Sequence, residues 1–332
     1  MRLSVKKIGI RVKLFLLGSM GSILTFTAVT IMVSACTQIT PPERPARDAS
    51  GATQINRPVL KLLTLNLAHG RKDSFNQLLV ANGTIVDNLD DIAELLKKVG
   101  ADVVALQEAD GPSAWSGYFN HVSYLANAAG YPWDIYSARV NGKRINYGTA
   151  LLSNVPFKDT LSHDFPESPP TLRKGFTLGQ IEWQPDDNKP AIAVDVLSVH
   201  LDFSRKKVRE QQISDILRVL DSRSNPVIIL GDFNSNWKTT DSVIKVLAKC
   251  SNARVFEPES INHGTYKQGK HRLDWALLSE DLQFKQYQVL PDIVSDHRAI
   301  VIEVTYSGSD QQDTGKSNFT EGECKDMFDS AD

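Results

Sequence analysis

Pro226-Val-Ile-Ile-Leu-Gly-Asp-Phe-Asn234 decides how this chain is read. A proline opens a run of β-branched and aliphatic residues suited to a strand buried on both faces, and the run stops abruptly at Gly231-Asp-Phe-Asn234. A carboxylate and a carboxamide therefore stand two residues apart at the exit of a core strand. Residues i and i+2 share one face of a strand, so if pairing continues through them, Asp232 and Asn234 point together past the strand end. Both are also frequent turn residues, and an Asx-type turn is the alternative reading.

Other stretches repeat the pattern. Residues 59–67 predict a core strand with Asn66 near its end, and a buried asparagine there must cap a turn or orient a polar site. Leu89, Ile92, Leu95, Leu96 and Val99 fall at helical spacing before Gly100, so a helix over 87–99 follows. A strand over 101–108 ends in Gln107-Glu108, again a carboxylate where a strand stops. Trp115, Tyr118, Phe119, Val122, Leu125 and Ala129 predict a second helix that ends at Gly130. Strands are expected at 145–153, 176–183 and 192–200; a loop before the second carries Arg173 and Lys174, and the third ends at His200. Helices at 207–220 and 242–248, a strand at 271–279 containing Asp274, and a strand at 299–304 after Ser295-Asp-His297 complete the series.

Strand-to-strand hairpins mix here with strand–helix–strand passages. That order predicts an α+β fold in which two mixed β-sheets pack face to face with helices outside. A doubly wound parallel sheet fits poorly, because three strands in the middle have no helix between them.

The N-terminus is a separate object. Arg2, Lys6, Lys7, Arg11 and Lys13 precede an uncharged run over 14–33, which closes at Val33-Ser-Ala-Cys36. This is an export signal over 1–35, and its ending resembles the bacterial lipoprotein signal, which implies lipidation of Cys36. The alternative is an uncleaved anchor, since the run is long enough to span a bilayer. Either way the globular part is expected in the cell envelope, exported and membrane-tethered at the periplasmic or outer surface. A Pro-, Ser- and Arg-containing tether over 36–57 leads to a domain over 58–306, and an acidic tail occupies 307–332. Without the first 35 residues, 32 basic face 39 acidic residues; within 36–306 the balance is 30 to 32. A nearly balanced domain lacks the broad basic footprint of a protein that holds nucleic acid through its phosphates. Besides Cys36, Cys250 and Cys324 remain, and the sequence leaves open whether they pair or stay as thiols. No Cys-x-x-Cys spacing suggests zinc.

Polar residues near the expected strand ends are Asn66, Glu108, His200, Asp232, Asn234, Asp274, Asp296 and His297. Each alone has a structural explanation as a cap, a turn or a satisfied core histidine. Together, carboxylate and amide oxygens with few imidazoles and no thiolate suit a hard cation such as Mg²⁺ or Mn²⁺.

Asn66 in Thr-Leu-Asn, Glu108 in Leu-Gln-Glu, His200 in Val-His-Leu, Gly231-Asp-Phe-Asn234, Asp274 in Leu-Asp-Trp and Ser295-Asp-His297 form an ordered set. It resembles that of the endonuclease/exonuclease/phosphatase superfamily over about 59–306. The resemblance implies a four-layered α/β sandwich, one or two divalent cations, and in-line attack of water on phosphorus. It assigns Glu108, Asn66 and Asp296 to the metal. The Asp274-His297 pair polarises water, Asp232 and Asn234 position nucleophile and phosphate, and His200 stabilises the pentacovalent state or protonates the leaving oxygen. Histidine at 200 is similar to secreted deoxyribonucleases, sphingomyelinases and inositol polyphosphate phosphatases, where abasic-site repair enzymes typically place tyrosine. Arg173-Lys174-Gly175 is similar to a phosphate-contacting Lys-Gly stretch of the lipid and inositol-phosphate branches; a solvated basic loop is the other reading. The implied function is metal-dependent hydrolysis of a phosphoester by a monomer, with a phospholipid or small molecule favoured over nucleic acid. A DNase I-like nuclease and a catalytically inactive binding module are the alternatives.

Overall fold

Alternation along the strands sets the architecture. The protein is seen as a computed structural model that describes residues 51–308, apart from 75–76, 78–79 and 241, together with Cys324. The export signal over 1–35, Cys36, most of the 36–57 tether and nearly all of the acidic tail lie outside the described residues. Among those described, no helix is long and apolar enough to cross a membrane.

The chain opens with β1 (Ile55–Asn56), β2 (Leu60–Asn66), a 3-10 turn (Ala68–Gly70), α1 (Asn82–Val99), β3 (Val103–Asp110) and α2 (His121–Ala129). Five strands follow: β4 (Trp133–Asn141), β5 (Asn146–Ser153), β6 (Asp159–Asp164), β7 (Gly175–Gln184) and β8 (Ile192–His200). Then come α3 (Lys206–Asp221), β9 (Val227–Asp232), α4 (Val243–Cys250), β10 (Arg254–Val255), β11 (Asp274–Leu278), β12 (Leu282–Val289) and β13 (Ile300–Tyr306). One sheet runs β1-β7-β8-β9-β11-β10 with β6 beside β7, and the other runs β12-β13-β2-β3-β5-β4. Both are mixed: β2/β3 and β8/β9 are parallel within largely antiparallel surroundings.

In β2, Leu60 and Leu62 face the second sheet, where they meet Val194, Val196, Ile228 and Leu230; Leu63 and Leu65 face α1 and α2. Leu197, Val199 and Ile229 turn away from the inter-sheet core to pack on Ile213 and Ile216 of α3 and Leu247 of α4. The layers are therefore helix, sheet, sheet, helix, as expected. Gln107 Nε2 donates to Ser198 Oγ at 2.9 Å, tying the sheets together with a satisfied polar contact.

The second helix is shorter than its apolar spacing predicts. Gly117 and Tyr118 take left-handed φ values of 75° and 67°, so residues 115–120 form turns, and α2 begins where the Asn120 side chain accepts from Ser123 N at 3.0 Å. The strands β4, β6 and β12, absent from the sequence reading, lie at or near sheet edges. β1 falls within the span read as tether and pairs with the end of β7. Cys250 and Cys324 form a disulfide.

Candidate active site

Strand parity delivers the polar residues to one place. The residues of β2, β8, β9 and β11 that face the inter-sheet core continue to Asn66, His200, Asp232 and Asp274 at the same end of the molecule. Within one sheet, Asp232 is opposite both His200 and Asp274. From the other, Asn66 Nδ2 crosses to donate to Asp232 Oδ2 at 3.1 Å.

Glu108 reaches the same face by a different device. Simple alternation would aim it at the helices with Val104 and Leu106, but the register with β5 shifts between Leu106 and Ala109 and Glu108 takes φ 47°. This bulge turns the carboxylate inward, and a left-handed non-glycine residue there is a strained position of the kind found at functional sites. Gly231 is needed for a steric reason: at φ 143°, an added Cβ would lie 2.0 Å from Val199 O. Asn234, in contrast, is not carried by the strand. Pairing stops at Asp232, and an Asx turn brings Asn234 back, its N–H on Asp232 Oδ1 (2.9 Å) and its Nδ2 on Asp232 Oδ2 (3.2 Å). The turn reading and the shared-site reading of Gly231-Asp-Phe-Asn234 both hold.

His297 Nδ1 is 2.8 Å from Asp274 Oδ2, so Nδ1 carries the hydrogen and Nε2 is left facing Asp232 Oδ2 at 3.9 Å. His200 Nε2 is 3.7 Å from the same oxygen and 3.8 Å from Glu108 Oε1. Burial lifts Asp232 to about 7, with Asp274 adding to the rise and His297 opposing it. Burial disfavours charge on His297, but Asp274 and Asp232 outweigh that and raise it to about 10. Burial, then the neighbouring Lys174, holds His200 well below its usual range. Burial also disfavours ionised Glu108, yet His69, Lys174, His200 and His297 prevail and its pKa is lowered.

The structure separates Arg173 from Lys174. Lys174 is buried, with Nζ 3.2 Å from His200 Nε2 and 5.2 Å from the centre of the Tyr147 ring. Arg173 turns to Glu167 and Asp164 instead. Asp296 pairs with Arg71 at 2.5 Å, while its neighbour Ser295 donates to Asn66 O at 2.7 Å and so fixes the loop that bears His297. Sequence reasoning missed His69, which joins Asp110 (2.7 Å) to Glu108 (3.3 Å) and orients the Glu108 carboxylate. Its signal was position: it lies three residues after Asn66, where Ala68 and His69 are both left-handed at 46° and 57°. Tyr266, whose ring is centred 4.7 Å from that of His297, was also missed.

The donors suit a hard divalent cation. Carboxylate oxygens dominate, and buried Asp274 Oδ1 and Asp110 Oδ2 have no hydrogen-bond partner among the described residues. Ligand atoms of Asp232, Asp274 and His297 lie within 4.8 Å of one another, but the His297–Asp274 hydrogen bond already occupies two of those groups. Glu108, at the mouth of the cluster and a fifth exposed, is the better-placed carboxylate. A cavity of about 610 Å³ between α3 and α4, lined by Leu217, Arg223 and Leu277, lies at the other end of the sheets and has no part in this cluster.

Solved structures of the same architecture include an endonuclease/exonuclease/phosphatase from Beutenbergia cavernae, 18% identical over 76% of this chain and 72% of that one, with a TM-score of 0.58. A mannosyl-6-phosphatase from Bacteroides thetaiotaomicron is similar at 16% identity over 74% of this chain and 100% of that one, with a TM-score of 0.57. The human Nocturnin catalytic domain, with a bound sulfate anion, is similar at 17% identity over 75% of this chain and 95% of that one, with a TM-score of 0.56. No curated protein matches the chain. The Endonuclease/Exonuclease/phosphatase family model spans residues 63–297, more than half of the sequence, so the chain belongs to that family.

Proposed function

We propose that this protein is a monomeric, divalent-metal-dependent phosphoester hydrolase that acts outside the cytoplasm. The family's members are generally phosphoester hydrolases that use a divalent metal. The observation that carries the reading is the convergence on Asp232 Oδ2 of Asn66, Asn234, His200 and His297, with Asp274 behind His297.

Glu108, Asn66 and Asp296 would hold Mg²⁺ or Mn²⁺, which supplies charge compensation to the phosphoryl oxygens when bound. Asp232, whose pKa burial lifts to about 7, takes the proton of the attacking water, and His297, held in one orientation by Asp274, faces it through Nε2. Asn234 and Asn66 fix the Asp232 carboxylate, which limits the positions water can take. Lys174, beside His200, sets a cation against phosphate oxygen, and His200 faces the departing oxygen.

The nearly balanced charge over 36–306 supports a phospholipid or other small phosphoester over DNA. The basic and then uncharged N-terminal stretch supports a membrane-tethered site of action in the cell envelope. The test is turnover of a soluble chromogenic phosphodiester and phosphomonoester, a sphingomyelin dispersion and duplex DNA, with Mg²⁺ or with chelator. Turnover abolished by chelator and reduced about a hundredfold or more in Asp274→Asn is expected. Failure to hydrolyse any of these substrates sinks the proposal, and DNA as the only substrate replaces it with the nuclease reading.

A further inference from the structure

Large apolar side chains exposed singly on a surface need no explanation, but their clustering does. The exposed large hydrophobic residues are Tyr118, Leu172, Phe203, Ile261 and Ile293, between 40% and 79% exposed. They come from five different loops, and every one of those loops meets the active-site end of the sheets. Tyr118 follows the Glu108 end of β3, Leu172 precedes Gly175 opposite His200, and Phe203 lies three residues after His200. Ile293 lies two residues before Ser295, and Ile261 shares a shallow cavity with Asn236 and Lys238 just beyond the β9 exit. The turns at the other end of the sheets, such as 130–132, 154–158, 185–191 and 222–226, contribute none among the described residues.

Two of these tips are held side by side. Buried Asp202 accepts from Thr171 Oγ1 at 2.5 Å and from the backbone N–H groups of Ser204 and Arg205 at 2.8 Å. It thereby links the loop of Leu172 to that of Phe203. Exposed basic residues stand among the tips: Lys143 and Arg144 on the β4–β5 hairpin, Lys207 after Phe203, and Lys267 and Lys270 on the loop of Ile261. Acidic neighbours in the same loops are engaged, Glu167 with Arg173, Glu257 with His263 and Glu259 with Trp237.

We propose that this rim is a docking face for an anionic lipid surface, whose acyl boundary takes the apolar tips while its headgroups meet the lysines and arginine. Apolar side chains ringed by cations are what an interfacial contact requires. Duplex DNA would engage the cations and leave five apolar tips in water. The inference builds on the phosphoester reading: docking by this face presents the catalytic groups to the headgroup layer.

The test uses the full chain reconstituted into phosphatidylcholine/phosphatidylglycerol vesicles whose acyl chains carry bromine. Tryptophan is introduced by Phe203→Trp, by Ile261→Trp, or by Asn188→Trp in the far-end turn, and the signal of the unsubstituted protein is subtracted. Bromine is expected to quench the first two at least about twofold more than the third, as for side chains seated in the acyl boundary. Equal quenching at all three positions, or none at 203 and 261, overturns the proposal. So does protection of Phe203→Trp by duplex DNA in place of lipid quenching. Quenching without hydrolysis of any phosphoester would leave the docking face standing and remove the enzyme assignment.

Discussion

The two ends of the same pair of sheets treat buried acids in opposite ways. At the far end, Asp195 is bound by Arg223 through Nε at 2.5 Å and Nη2 at 2.9 Å, and Asp102 accepts from Lys61 N at 2.9 Å and pairs with Arg57. At the active-site end, Glu108, Asp232 and Asp274 converge on imidazoles and one lysine, and nearby Arg71 is taken by Asp296. The far end is closed by short turns; the active-site end carries long loops, up to 256–273, and left-handed backbone at Ala68, His69, Glu108 and Asn234. Carboxylates matched by arginine fix a fold, whereas carboxylates gathered without it leave a place for a cation. Strain and unmatched charge are concentrated at one end, and that end does the chemistry.

The largest effect that would sharpen this contrast is expected from Glu108→Gln. It removes a charge held between His69 and His200, so turnover per folded molecule should fall about a thousandfold or more. Paired kinetics and equilibrium unfolding check it; unchanged turnover would mean the unmatched acids are not the reactive ones. The reverse is expected of Asp195→Ala. This change leaves Arg223 facing a buried position without its carboxylate, so stability should fall by about 2–4 kcal/mol while turnover per folded molecule is retained. If Asp195→Ala instead abolishes turnover in protein that remains folded, the two ends are coupled and the division fails.

Much of this division was legible in the chain. The apolar runs ending at Asn66, Glu108, His200 and Asp232 read as strands because both faces are buried, and i, i+2 parity carried Asn66, His200 and Asp232 to one side. What one sequence could not show was anything decided across the sheets. β6, Asp-Thr-Leu-Ser-His-Asp, is an edge strand with little burial, so it carries no apolar pattern to read. The inward turn of Glu108 depends on a bulge against β5, and the role of His69 depends on Asp110 lying 2.7 Å away across 41 positions of sequence. Trp115 and Tyr118 fitted a helical stripe, but left-handed backbone at 117 and 118 excludes that helix. The exposed tips gave no signal of their own either, because an exposed Ile or Phe in a loop looks the same in sequence as a buried one.

The smallest expected effect concerns how the loops of the active-site end are fastened. Asp202 is buried; burial alone would raise its pKa, but Thr171 and the N–H groups of Arg205 and Ser204 stabilise its charge, and the pKa is lowered. A carboxylate depressed in the folded state contributes stability that is fully present above its unfolded value, near 3.9, and is lost as pH falls towards the folded one. Asp202→Asn should therefore be less stable than the parent by about 1–2 kcal/mol at pH 7, with the gap narrowing only below about pH 4. Asp195 is bound by arginine near the opposite end of β8, so the gap should survive in an Asp195→Asn background. Urea unfolding of the four proteins between pH 3 and 7 measures both. A gap constant across that range would mean that the Asp202 hydrogen bonds do not depend on its charge. A gap abolished by Asp195→Asn would mean that the two ends share one electrostatic network, which is the outcome most damaging to the contrast between them.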